Sequence, residues 1–331
     1  VHTLPYPVLK RVLDEARELG IHFIVLSGGE PFAYPHLIRM AQEYPDIAFM
    51  LYTNGTLIDE EMADQMQAVG NLSPAISLEG WRHTTDARRG PGVFDRVMQA
   101  MDLLKERGVI FGFSVTVTRH NAAEVFSDEF MDFMVEKGAL YGWSFHYIPV
   151  GRDPDLDLLL EPEQRLWLAE RVVQIRETKP LMVMDFWNDG ELTQGCIAGG
   201  RRYFHITADG GVEPCAFVHF RVDNIKEKSL REVLGSPFFR SYQKHQPTSG
   251  NLLMPCPLID RPAVLRHVIK ETGAQPSHEG ADNILQKEMA DFLDARAAKW
   301  ARVSAPLWRR RVEAKGAGRL LRDQVLEKVV S

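Results

Sequence analysis

Cysteine is nearly absent from this chain: three residues in 331, at positions 196, 215 and 256, all in the C-terminal half. So sparse and odd a count excludes a disulfide framework and fits a reducing compartment, where clustered thiols serve metals or chemistry. Long apolar runs are missing as well. No stretch approaches the roughly 20 residues that a membrane span needs, and the N-terminus lacks the basic-then-apolar pattern of an export signal. The sequence therefore predicts a cytoplasmic protein without a transmembrane segment. Nor is there an excess of positive charge: 39 Lys and Arg stand against 45 Asp and Glu, a formal net charge of −6, which argues against a nucleic-acid partner. What is present, 45% hydrophobic and 25% charged residues, is ordinary for a folded protein large enough to hold two cores.

From Pro5 to about Gly151 helix-like and strand-like segments alternate. Leu9, Val12, Leu13, Ala16 and Leu19 recur at helical spacing, and the run Phe23-Ile24-Val25-Leu26-Ser27 then stops at Gly28-Gly29-Glu30-Pro31. An apolar run bounded by Gly and Pro reads as a buried parallel strand. Pro35 to Tyr44, Asp59 to Val69, Gly92 to Arg107 and Ala122 to Lys137 supply helices. Ala48 to Tyr52, Pro74 to Gly80, Val109 to Thr118 and Gly142 to Tyr147 supply further strands, five in all. Repeated helix-then-strand order predicts a parallel sheet with crossover helices. In such sheets the strand C-termini converge on the ligand site, and paired glycines let the main chain approach a ligand.

Gly28-Gly29-Glu30-Pro31 resembles the motif of radical S-adenosylmethionine (SAM) enzymes that meets the amino group of the SAM methionine. The likeness extends in register through Phe49-Met50-Leu51-Tyr52-Thr53-Asn54-Gly55, Pro74-Ala75-Ile76-Ser77-Leu78-Glu79-Gly80, Asp86-Ala87-Arg88-Arg89-Gly90, Phe113-Ser114-Val115-Thr116-Val117-Thr118 and Trp143-Ser144-Phe145-His146-Tyr147-Ile148-Pro149. The resemblance implies a partial (β/α)6 TIM-like barrel and a SAM site at Gly28, Gly29, Glu30, Pro31, Thr53, Asn54, Ser77, Arg89, Ser114 and Thr116. An arginine fork such as that of Arg89 suits the SAM carboxylate, and Asn121 lies at the exit of the strand that carries Ser114. The family's Cys-x3-Cys-x2-Cys loop, which binds the catalytic [4Fe–4S] cluster, and the strand before it do not occur in this sequence. The expectation is an N-terminally truncated radical SAM core over residues 1–151, with the first barrel strand missing and without the means to make the radical unaided.

After Gly151 a polar stretch, Arg152 to Asp157, reads as a linker, and Glu161 to Thr178 as a helix, giving a linker-and-helix segment over 152–184. The segment 185–283 holds all the cysteines. Asp209-Gly210 between two β-type runs signals a hairpin that would return Cys215 toward Cys196, while Cys256 is fixed between Pro255 and Pro257. Together with Asp223-Asn224-Ile225-Lys226-Glu227-Lys228-Ser229-Leu230, this segment is similar to the SPASM or twitch auxiliary-cluster domains of radical SAM enzymes, a small α+β unit. A full SPASM domain has more cysteines. Three thiolates suffice for one auxiliary [4Fe–4S] cluster whose fourth iron is open or filled by another ligand, with Asp260, His219 and His278 as candidates. Residues 284–331 read as a helical tail, in which Trp308 and Arg309 to Arg311 suggest a solvated face or a docking point.

The resemblance implies a radical SAM enzyme in full-length form: reductive cleavage of SAM to a radical that modifies a peptide or small molecule, with flavodoxin or ferredoxin as electron donor. The alternative is a non-catalytic barrel that binds a peptide or protein partner, and a third reading is an iron-free phosphate-binding barrel. His146 and Tyr147 read as core or adenine-side residues, and Trp143, Phe186 and Trp187 as core. The substrate is not legible.

Overall fold

Successive side chains of a strand point to opposite sides, and the register of the sheet sorts these residues into two rows. The computed structural model describes residues 3–151 and 153–330, with side chains as far as 315; Val1, His2, Arg152 and Ser331, which bound the expected segments, lie outside it. Six parallel strands run in order: β1 (Phe23–Leu26), β2 (Ala48–Thr53), β3 (Leu72–Leu78), β4 (Gly112–Val117), β5 (Tyr141–His146) and β6 (Met182–Asp185). The sheet curls into the half-barrel expected from the sequence. It has one strand more than the five read from the pattern, because β6 lies between the Pro162–Thr178 helix and the cysteines, where only four residues are paired. So short a strand carries no period-2 signal.

Ile76, Phe113, Gly142 and Val183 lie side by side across β3 to β6. With Phe49, Leu51, Leu78, Val115 and Val117 they form the face covered by helices. The Val93–Glu106 helix adds Val97, Ala100, Met101 and Leu104 to that layer, all fully buried. Val97, Met101 and Leu104 each contribute roughly 1.5–3 kcal/mol when removed from water, and the Ala100 methyl less. The neighbouring row, Ser77, Ser114, Trp143 and Met184, faces the inside of the half-barrel. There packing is looser, and Trp143 and Met184 are only half-buried.

Polar caps set the crossover lengths. Asp59 Oδ1 accepts from Met62 N at 2.9 Å and Ser127 Oγ from Phe130 N at 3.1 Å; such caps contribute about 1 kcal/mol each. The Ser127 cap divides the helix expected over Ala122 to Lys137 into Ala122–Val125 and Asp128–Lys137.

The second unit is built on a small antiparallel sheet. β7 (His205–Ile206) and β8 (Gly211–Glu213) form the hairpin signalled by Asp209-Gly210, with His205 opposite Glu213. The further strands are β9 (Phe220–Arg221), β10 (Asp223–Asn224), which joins β8, and β11 (Gln275–Pro276), which pairs with β9. The Tyr6–Glu18 helix packs Val12 and Ala16 against Val212, Ile225 and Leu230 of this unit. Leu230 N also donates to Glu15, which fastens the two units together. A long helix, Lys287–Val330, closes the chain, its Trp300 and Leu307 packed on Leu253 and Met254. No helix among the described residues is long and apolar enough to cross a membrane.

Candidate functional site

Two groups of residues meet the inner face of the half-barrel, one at the end of β1 and one beyond β5 and β6. At the first, Gly28 has φ of +140°, a region open to glycine and costly to other residues. A Cβ built on Gly28 or Gly29 meets nothing within 4 Å, so the main chain borders open space on this edge. Glu30 ties the loop to β2. Its Oε1 accepts from Thr53 Oγ1 at 2.7 Å and from Phe32 N at 3.1 Å, and its Oε2 accepts from Asn54 N at 2.8 Å. Thr53 is buried and also accepts from Gly55 N at 3.0 Å. It therefore braces Glu30 instead of lining the cleft.

Ser77 and Ser114 face each other across β3 and β4, their hydroxyls 3.2 Å apart, and Thr116 follows on the same face of β4. Arg89 reaches the end of β3 from the Arg82–Arg89 helix. Its Nε and Nη2 donate to Glu79 Oε1 at 2.9 and 2.6 Å, while Arg88 takes Glu79 Oε2 at 2.8 Å. Glu79 is almost fully buried, so the pair anchors the helix to the sheet. Asn121 accepts from Thr118 N and donates to Glu79 O, holding the turn after β4.

The second group is the cysteines. Cys196, Cys215 and Cys256 line one open cleft, whose walls include Trp143, Met184, Phe186, Trp187, Phe217 and Tyr242. The hairpin returns Cys215, and the Pro255 to Pro257 segment supplies Cys256, as the sequence predicts. Burial pushes all three thiols up, Cys215 to about 12; the Cys196 thiol adds to this at Cys215, the Asp260 carboxylate at Cys196, and Asp260 followed by the two other thiols at Cys256. Tyr242 Oη lies 3.6 Å from Cys196 Sγ. Gly199, with φ of +66°, makes this approach possible, because a Cβ there would stand 2.5 Å from Tyr242 Cδ1.

Three thiols lining one apolar cleft, Cys215 buried and Cys196 and Cys256 half-buried, suit a polynuclear iron–sulfur cluster, whose iron charge offsets the cost of burying thiolates. A single zinc ion fits less well: with Zn–S bonds near 2.3 Å its ligands crowd together, and the three sulfurs do not form a set within 4.8 Å of one another. The three candidates for a fourth ligand stand differently. Both oxygens of Asp260 are engaged, by Arg165 and by Cys256 N. The His219 and His278 rings meet at a tilt of 58° with centroids 4.7 Å apart, and His219 Nδ1 is 3.7 Å from the buried Glu213.

The cleft also shows what the sequence missed. Trp187 is core, as expected, but Trp143 and Phe186 project from β5 and the end of β6 into the cleft. Tyr52, Trp143, Phe145, Phe186 and Phe217 form a contiguous aromatic wall, with ring centroids 5.3 to 6.3 Å apart. An aromatic at every second position of β5 carries this signal, but periodicity alone does not say which side is open.

Behind the wall lies a buried polar chain. His146 Nε2 is 3.1 Å from Asp185 Oδ1, Asp185 Oδ2 accepts from Asn188 Nδ2 at 2.6 Å, and Asn188 Oδ1 accepts from Arg165 Nε at 3.0 Å. Burial works against the Asp185 carboxylate, yet His146, Asn188 and Arg165 together hold it below its ordinary range. His146 thus takes the core reading. Tyr147 accepts from Asp155 N at 2.9 Å.

Residues 2–128 match the Radical SAM superfamily, and residues 196–257, which run from the first cysteine, Cys196, to just past the last, Cys256, match the family described as an iron-sulfur cluster-binding domain, SPASM. The cofactors these families imply are SAM and iron–sulfur clusters. The chain is 26% identical over 251 residues to an AdoMet-dependent heme synthase of Methanosarcina barkeri, covering 68% of this chain and 71% of that protein. To a PqqA peptide cyclase of Ruegeria pomeroyi it is 26% identical over 248 residues, covering 67% and 63%. Its fold is that of Streptococcus suis SuiB bound to S-adenosylmethionine, with a TM-score of 0.62 at 19% identity, covering 76% of this chain and 65% of that one. The chain thus spans a little under two thirds of that structure.

Proposed function

Because this chain is a radical SAM protein with a C-terminal SPASM domain, we propose that it is the core of an enzyme that modifies a bulky, largely apolar or aromatic substrate held between a SAM edge and an auxiliary cluster. One observation carries the reading: Trp143, Met184 and Phe186 belong both to the inner face of the half-barrel and to the wall of the three-cysteine chamber. A substrate lying on that wall would touch the cysteine cleft and extend along the inner face of the half-barrel that also carries Ser77 and Ser114.

On this reading the SAM edge is Gly28, Gly29, Glu30 and Pro31, with Asn54, Ser77, Arg89, Ser114 and Thr116 facing or flanking it and Thr53 bracing Glu30. Exposed main chain at the two glycines suits the amino and carboxylate groups of an amino acid, and the paired serines suit a ribose. Arg89 Nη1 has no hydrogen-bond partner among the described residues, so its fork retains donors for a carboxylate. Cys196, Cys215 and Cys256 hold the auxiliary cluster. The chemistry these cofactors supply when bound is one-electron cleavage of SAM and hydrogen abstraction from substrate. The chain itself orients the substrate on an apolar wall. An electron donor of the flavodoxin or ferredoxin class completes the reaction, and the domain division at 151, 184 and 283 assigns each unit one of these tasks.

Relatives named for heme synthesis and for cyclising a peptide share this architecture, so the substrate is assigned by the wall's chemistry alone. The test has two parts. Anaerobic reconstitution with iron and sulfide should give a brown protein whose colour and iron are lost on Cys215→Ala. The full-length gene product, given SAM and a strong reductant, should release 5′-deoxyadenosine. A colourless product in the first, or no deoxyadenosine in the second, overturns the reading.

A further inference from the structure

Away from the cysteine chamber, the Pro237–Lys244 and Pro262–Thr272 helices pack side by side. His267 and Glu271, one turn apart, lie on one face of the second helix, and His245 caps the end of the first. One ligand atom from each of these three residues lies within 4.8 Å of the other two. The His245 and His267 rings stand perpendicular with centroids 5.5 Å apart, and Ser241 Oγ donates to Glu271.

Rigid helices and adjustable side chains are what a metal site needs. Phe238 and Tyr242 of one helix and Leu265, Val268 and Ile269 of the other are buried in one core, so the backbones are fixed. His267 and Glu271 are exposed, and small rotations about their side-chain bonds bring the donors to the spacing that bonds of about 2.0–2.2 Å require. Two imidazoles and a carboxylate are a borderline N/O set, suited to zinc and its neighbours and poorly suited to calcium or magnesium. Three protein ligands also leave a position for water.

We propose that His245, His267 and Glu271 form a zinc-class divalent metal site, separate from the three cysteines, that clamps the two helices together. Tyr242, on the first helix, stands against Cys196, so the clamp fixes one wall of the cluster chamber from outside.

The experiment uses iron- and sulfide-reconstituted protein, so that the thiols are occupied, dialysed against buffered Zn2+. One equivalent of zinc should bind, and X-ray absorption at the zinc edge should show nitrogen and oxygen neighbours at about 2.0–2.1 Å without sulfur at about 2.3 Å. Zinc should raise the thermal midpoint of the wild type. His267→Ala should weaken binding at least about tenfold and abolish that rise, with iron content unchanged. Glu271→Gln, at an exposed position, repeats the test should the first variant fold poorly. Sulfur neighbours, equal zinc uptake in both variants, or no uptake at about 100 μM free zinc would each overturn the proposal.

Discussion

The Arg165 guanidinium holds the Asp260 carboxylate by two hydrogen bonds, Nη1 to Oδ1 at 2.6 Å and Nη2 to Oδ2 at 3.2 Å, and the same Oδ2 accepts the amide of Cys256 at 3.0 Å. Both side chains are buried, and the Trp300 ring lies over the guanidinium at 4.3 Å. A helix after the half-barrel thereby sets the position of a cysteine 91 residues downstream.

Arg165→Met leaves Asp260 charged and buried without its partner. The expected cost is about 3–5 kcal/mol, read as a lower urea midpoint. Asp260→Leu in the same chain should restore part of it. Additive losses in the two variants would show that the pair does not act as a unit.

Glu30→Ala removes the acceptor that joins the β1 loop to Thr53, Asn54 and Phe32. SAM affinity, measured by calorimetry, should fall about tenfold, equivalent to about 1.4 kcal/mol. Thr53→Val, which removes one of the three bonds, should fall by less. Unchanged affinity in both would place SAM elsewhere.

Trp143→Ala opens the aromatic wall without touching the cysteines or the SAM edge. Iron content and 5′-deoxyadenosine release should persist while conversion of substrate falls, so the ratio of deoxyadenosine to product rises. A fall in both rates together would assign Trp143 to stability instead.

Gly199→Ala forces a Cβ to within 2.5 Å of Tyr242 Cδ1 at a φ of +66°. Overpacking of this kind costs about 1–3 kcal/mol, which lowers the thermal midpoint and detaches Tyr242 from Cys196. Tyr242→Ala removes the two nearest atoms, Cδ1 and Cγ, so the loss of midpoint in the double variant should be smaller than the sum of the two single losses, and full additivity would refute the cause.

The hairpin that carries Cys215 has a pH-dependent tie. Asp209 is held down to about 2 by its hydrogen bond to Arg221 first and by Thr207 second. Its folded pKa lies below its unfolded one, about 3.9, so the stabilisation is present above about pH 4 and is lost as pH falls toward 2. Because Asp209 is half-exposed, the effect is at most about 1 kcal/mol. The difference in melting temperature between wild type and Asp209→Asn should be constant from pH 7 to 5 and shrink below pH 4.

Local signals carried much of the fold. The Gly28 to Pro31 stop, the apolar runs of β2 to β5 and the Asp209-Gly210 hairpin each depend on neighbours within a few residues, and the structure has them where the sequence puts them. β6 escaped because four residues hold too few alternations. The split at Ser127 escaped because apolar periodicity continues through it, and only the cap marks the break.

A parallel sheet ending in a glycine-rich edge, and three thiols within one later unit, follow from residue order alone, since turn chemistry and apolar spacing are short-range properties. Packing in three dimensions sets which face of β5 stays open, brings Trp143 and Phe186 to a cleft, and joins Arg165 to Asp260, 95 residues away. The reason is physical. An alternating strand is satisfied with either row inward, and a buried charge declares its partner only when packing has excluded the water that would otherwise solvate it.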